Sequence, residues 1–183
     1  LTHITANLGL PQSVGLTAIT IAALIEILTI PAFAALSDRI GRKPLLIGGA
    51  AFMGLWTFVL FALLNTKSTA LIVVAVVVGL AVGHASVYGT QASFYAELFG
   101  TRVRYSGASF SYQVSGIFGG APAPIIAALL YPIGGTFLIS AYIAVLCALS
   151  VVCYFLAEET FHKDIYADEA EERALISEQR GSA

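Results

Sequence analysis

Residues 37–44 read SDRIGRKP, a charged hairpin set between two long apolar runs. Such a segment cannot lie in hydrocarbon, where its polar groups would go unsatisfied, so it must sit in water at one face of a membrane. It holds Arg39, Arg42 and Lys43 against a single acid, Asp38. The bias of lysine and arginine towards cytoplasmic loops puts it on the cytoplasmic side. Gly41 permits a sharp turn with no Cβ penalty, and Pro44 suits the first turn of the helix that follows.

Composition agrees with a membrane setting. The chain has 183 residues, 58% hydrophobic and only 11% charged, with a mean hydropathy of +0.87. A soluble domain carries about a quarter charged residues, so this is an integral membrane chain. The formal charge of -2 is a misleading average, because most of the acid lies in the last segment. No basic patch calls for nucleic acid. Cys147 and Cys153 stand six apart in one apolar run, about 9 Å at helical rise, which is out of disulfide reach. GxSxG, HExxH, CxxC and phosphate-loop patterns are all absent, so neither covalent hydrolysis nor metal catalysis has its parts, and an intramembrane enzyme built on Glu26 and His84 would lack a nucleophile. His3, His84 and His162 fall in three separate regions without metal-ligand spacing. No cofactor is expected.

Working outward from the hairpin, residues 14–36 form a span of about 34 Å, enough to cross with some tilt, with Glu26 near its middle. Residues 44–64 form a second span, with Trp56 and several phenylalanines; polar nowhere, it is expected to face lipid. A polar turn at 65–68 leads to a third and longer span, 69 to about 99, whose second half turns polar. The loop at 97–105, ELFGTRVRY, adds Arg102 and Arg104 to the face that already holds Arg39, Arg42 and Lys43, against Lys67 alone on the other. Residues 105–131 and 136–157 are the fourth and fifth spans, joined by an uncharged turn at 132–135. Residues 1–12 look like the outer end of a further helix and a turn, and the opening at Leu1 is read as falling inside or just after that helix. Residues 158–183 are acidic and poor in large apolar groups, and are expected to form a mobile cytosolic tail.

Asp38, Arg39, Gly41, Arg42 and Lys43 match the GxxxDRxGR[KR] signature of the major facilitator superfamily, except that its leading glycine falls on Ala34. Glu97, Arg102, Arg104 and Gly107 match the loop between the tenth and eleventh helices of its metabolite:proton symporters, with Gly100 where proline is usual. The opening of the tail, AEETFHKD, resembles the end of that family's last helix. Sugar porters have a similar acidic-then-arginine loop. The resemblance implies an all-α integral membrane fold, the carboxy-terminal six-helix half of a transporter. It comprises five full spans plus the end of one more in a bundle at 1–157, followed by the tail at 158–183.

It further implies a multi-pass protein of the plasma (inner) membrane with its C-terminus in the cytoplasm. Such a protein moves a small organic acid or zwitterion with protons, by alternating access against a separate N-terminal six-helix half. The proton would be the coupling ion and the lipid bilayer the solvent. The alternatives are a non-transporting membrane receptor or scaffold, a truncated product, or a sugar-porter-like facilitator.

The candidate residues fall in two groups. A carboxylate at the depth of Glu26 is costly and should face the bundle interior, where it could carry a proton or serve as packing glue. His84, Tyr88, Gln91 and Tyr95 recur at i, i+4, i+7 and i+11, on one narrow face. Either they line a cavity bordered by Glu26 or they form a seam between helices. Ser109 and Gln113 share a face of the fourth span, which should bend at GGAPAP, residues 119–124. Gly79 and Gly83 form a GxxxG pair suited to close helix packing. At the cytoplasmic ends, Asp38, Arg42, Glu97 and Arg102 carry opposite charges that could close an inside gate, with Arg39, Gly41, Lys43 and Arg104 beside them. The plain alternative is that they only set topology.

Overall fold

The computed structural model describes residues 3–99 and 103–160, whose regular structure is helical throughout. A π-helical turn at His3–Asn7 ends at Gly9, where φ is +69°. Pro11 then leads into α1, Gln12–Ile40. Gly41, with φ +99°, makes the hairpin turn into α2, Arg42–Asn65, and no other residue type would take that dihedral without strain. A short turn leads to α3, Thr69–Val78, which continues through a second π-helical turn, Gly79–His84, into α4, Ala85–Leu98. After α5, Arg104–Ser115, a third π-helical turn at Gly116–Gly120 and a bend at Ala121 and Pro122 lead to α6, Ala123–Leu156. The expected break at 119–124 is therefore present. Gly134 and Gly135 leave helical geometry, so α6 is two helices, residues 123–133 and 136–156.

Four stretches are long and apolar enough to cross a bilayer: α1, α2, the 30-residue run Thr69–Leu98, and α6. At 1.5 Å per residue that run is about 45 Å long, against about 30 Å of hydrocarbon. Divided at Gly134 and Gly135, α6 leaves residues 136–156 where the fifth span was expected, and α5, the third π-helical turn and residues 123–133 follow one another where the fourth was expected. Leu24, Ile27 and Leu28 of α1, Leu55 of α2 and Phe155 of α6 are exposed, as suits helices with lipid for a solvent.

Lipid tails are as apolar as leucine, so helices here gain by close van der Waals approach, and the packed faces are built from small residues. Ala18 and Ala22 of α1, Gly49, Ala50 and Gly54 of α2, and Ala81 and Ala85 of the third run are all buried. A Cβ at Gly49 would strike Ser86 Oγ, and one at Gly83 would lie 2.5 Å from Met53 Sδ. The GxxxG pair thus packs the third run on α2. These contacts correct the expectation that α2 faces lipid: one side of it, through Gly49, Ala50, Gly54 and Thr57, is buried against α4 and α6. An apolar helix gives no periodic sign of its packed face, because core and lipid are equally greasy.

The departure at Ala34 is answered from the opposite helix. A Cβ on Gly89 of α4 would lie 2.6 Å from the Ile30 carbonyl oxygen and 3.3 Å from Ala34 N. The close crossing of α1 and α4 depends on that glycine. Gly89→Val should therefore lower stability by about 1–3 kcal/mol through overpacking against backbone. Gly48→Ala, with nothing within 4 Å of the added carbon, should cost far less. Denaturant unfolding of the two purified variants measures the contrast, and equal losses would contradict it.

Candidate functional site

Most of the predicted site residues gather at two depths. The first place is the charged end, where Arg42 opens α2 with its side chain 9% exposed. Its Nε donates to both oxygens of Glu97 at 3.2 and 3.3 Å, and Nη2 donates to Oε1 at 2.8 Å. Nη1 donates to Asp38 Oδ1 at 2.5 Å and to Ser37 Oγ at 2.6 Å. One guanidinium thus ties the end of α1 and the end of α4 to the start of α2. The fork geometry suits arginine and would not suit lysine.

The chain beyond α6 completes the cluster. Thr160, 2% exposed, donates its hydroxyl to Glu97 Oε2 at 2.5 Å. Glu159 accepts the backbone N–H of Arg42 at 3.1 Å and of Lys43 at 3.2 Å, so its carboxylate caps the N-terminus of α2. In return Lys43 Nζ donates to the carbonyls of Phe155 and Ala157 at 3.1 and 2.6 Å, which caps the C-terminus of α6. The two neighbouring helix ends cap each other. The segment expected to be a mobile tail therefore begins with three residues, Glu158–Thr160, of which two are docked; the remainder lies outside the described residues.

The second place is mid-depth. Glu26 of α1 and His84, the last residue of the second π-helical turn, meet with Oε1 to Nδ1 at 2.6 Å. Glu26 is 14% exposed in its side chain and His84 43%. The Tyr88 ring stacks on the imidazole, centroids 5.2 Å apart and planes within 21°. A π-helical turn inside a membrane helix re-aims the side chains after it and is found disproportionately at functional sites. Among the described residues, Thr29 Oγ1, one turn along α1 from Glu26, is the buried side-chain polar atom without a partner.

The family described as Sugar (and other) transporter matches residues 1–170. The chain belongs to that family, within the major facilitator superfamily. Its curated relatives include the shikimate transporter of Escherichia coli K12, 33% identical over 162 residues, which cover 87% of this chain and 37% of the relative. The inner membrane metabolite transport protein YhjE of the same organism is 32% identical over 87% of this chain and 36% of its own length. The glycine betaine/proline/ectoine/pipecolic acid transporter OusA of Dickeya dadantii is 28% identical over 80% of this chain and 29% of its own. The chain thus spans about a third of the length of the relatives it matches. No solved structure matches it. These relatives are transporters rather than enzymes, as the missing catalytic motifs imply.

Within this chain the predicted residues divide as follows. Asp38, Arg42, Lys43 and Glu97 come together at the charged end, while Arg39 is exposed there with no partner among the described residues. Gly41 is buried beneath Glu159, where a Cβ would lie 3.1 Å from Oε2. Arg104 Nε reaches the Phe99 carbonyl at 3.4 Å, and Arg102 lies outside the described residues. Glu26, His84 and Tyr88 form one group, and Gln91 donates to Tyr95 at 3.0 Å further along the same stripe. Ser109 and Gln113 are exposed on α5, which has no buried residue, and neither has a hydrogen-bond partner among the described residues. A cavity of about 390 Å³ lies elsewhere, towards the uncharged end. Its walls are mostly apolar, with Trp56, Leu60, Phe61 and Leu80 beside His3 and Thr57, and contain none of the predicted site residues.

Ser37, Glu159, Thr160 and Gly89 are the contributors that sequence reasoning missed. Glu158 and Glu159 did leave a sign. Acids at a helix C-terminus oppose its dipole, so a carboxylate there serves something else, here the N-terminus of α2.

Removing Arg42 would strand Glu97 in a mostly buried position. Arg42→Ala should cost about 3 kcal/mol or more, Arg42→Lys less, and Glu159→Ala about 1 kcal/mol through the lost cap. Unfolding of the full-length protein in lipid-detergent micelles reads the order. An Arg42→Ala variant as stable as the native protein would contradict the network.

Proposed function

We propose that this chain is the carboxy-terminal half of a secondary transporter that carries small organic acids or zwitterions with protons across the bacterial inner membrane. The observation that carries this reading is the contact of Glu26 with His84 halfway along two apolar helices. Ionisable groups are expensive at that depth and mark substrate or ion pathways by default. Two side chains that each exchange a proton in water, joined by one short hydrogen bond, are the simplest equipment for coupling. Relatives named for shikimate, proline and glycine betaine support the substrate class, since each of those molecules bears a carboxylate.

In this reading the cytoplasmic side is the charged end, and the C-terminus lies there too. The cluster around Arg42 holds the inner ends of three helices and the start of the tail as one unit, which the other half of the transporter would meet as a gate. Alternating access requires that N-terminal half, so transport belongs to the whole protein.

The test is uptake by the full-length protein in liposomes, offered labelled shikimate, proline and glycine betaine with and without an acid-outside gradient. Accumulation should follow the gradient and collapse with a protonophore. Glu26→Gln should lose gradient-driven accumulation about tenfold, the scale of one charge-assisted hydrogen bond. Full pH dependence in that variant would remove Glu26 from the coupling.

A further inference from the structure

We propose that His84 Nε2 is the point where the coupling proton and the substrate carboxylate meet, with Glu26 acting as a positioning residue rather than as the proton carrier. This rests on the transport reading above and divides the labour within that site.

The geometry assigns the two ring nitrogens different tasks. Nδ1 is engaged by Glu26 Oε1 at 2.6 Å, and Nε2 has no partner among the described residues. A carboxylate on one imidazole nitrogen fixes the ring orientation and places the N–H on that nitrogen, so the other nitrogen is the one that gains or loses a proton. The exposures agree: Glu26 is the covered member of the pair and His84 the open one, at 14% and 43%. Tyr88 covers one ring face, which adds a second restraint on the plane and offers its π-face to an imidazolium.

The charge count then decides what can bind. With Nε2 bare, the site is a carboxylate beside a neutral ring; it presents a lone pair and a negative charge, and it repels an anion. With a proton on Nε2, the pair is neutral overall and presents one N–H donor outward, which a substrate carboxylate accepts. One proton taken from the outer solution therefore accompanies each carboxylate, and the same proton is released from Nε2 when the carboxylate leaves inside. No bond other than N–H forms or breaks. Among the described residues, α2 brings Phe52, Met53 and Trp56 against this turn and α3 carries no ionisable side chain, so neither adds a charge there. The nearest further charge on the same helix, Glu97, is thirteen residues on, about 20 Å away along the axis.

The test uses the purified full-length transporter in weak buffer with a pH-indicating dye. The probe is whichever of shikimate, proline or glycine betaine the native protein accumulates best, and its methyl ester, which lacks the carboxylate charge, is the control. At mildly alkaline pH the native protein should take up about one proton per carboxylate bound, and none with the ester. His84→Gln should bind the probe about tenfold more weakly and without proton uptake. His84→Lys, which keeps a cation there, should bind it with little dependence on pH and exchange it across the membrane without gradient-driven accumulation. Glu26→Asp should retain more proton-linked binding than Glu26→Gln, as a positioning role requires. Proton uptake that persists in His84→Gln, or exchange by His84→Lys as pH-dependent as the native protein's, overturns the assignment and leaves proton-coupled transport standing. Failure of the native protein to accumulate any of the three probes with a gradient overturns the transport reading itself.

Discussion

A polar group in hydrocarbon has no water to fall back on, so it must find a protein partner or stay at the surface of the bilayer. The contact between Glu26 and His84 is what this requirement produces in the middle of the bundle. Each residue alone would burden its own helix. Together they join α1 to the third helical run and fix the rotation of both about their axes. The arrangement of neighbouring side chains follows from that rotation, since Tyr88 lies one turn from His84 and Ile30 one turn from Glu26. Gly89 faces Ile30 and Ala34 across the same seam.

The charged end obeys the same rule with water nearby. Arg42 satisfies two acids and a serine, Glu97 is completed by Thr160, and the ends of α2 and α6 exchange caps through Glu159 and Lys43. Between the two polar places the helices touch through glycine, alanine and serine. The seam of α1 and α4 thus has a polar contact at mid-depth, a glycine crossing below it and an ion-pair cluster at its end. Such a structure resists bending within itself, which suits a half-bundle that moves as one body against another.

Much of this could be read from the sequence, because the membrane simplifies the problem. Apolar runs of the right length gave the spans, and Gly41, Pro132 and Gly135 marked turns that the structure contains. Glu26 and His84 each stood out as polar residues at mid-depth, and equal depth hinted that they border one site. Their direct contact was not readable, since it depends on the helix rotation and on a π-helical turn that no residue pattern announces. The buried side of α2 was missed because lipid and core demand the same greasy residues, leaving only Gly49, Ala50, Gly54 and Thr57 as clues. Glu159 was missed because its partner is the end of a different helix, more than a hundred residues earlier.

The central claim is that one carboxylate holds one imidazole in the middle of the bundle. Nitrogen NMR of the full-length protein with labelled histidine, in lipid bilayers, tests it most directly. The account predicts a strongly hydrogen-bonded Nδ1 signal for His84 that moves when Glu26 becomes glutamine, while the signal of His3 stays in place. A His84 spectrum unchanged by that substitution would contradict it.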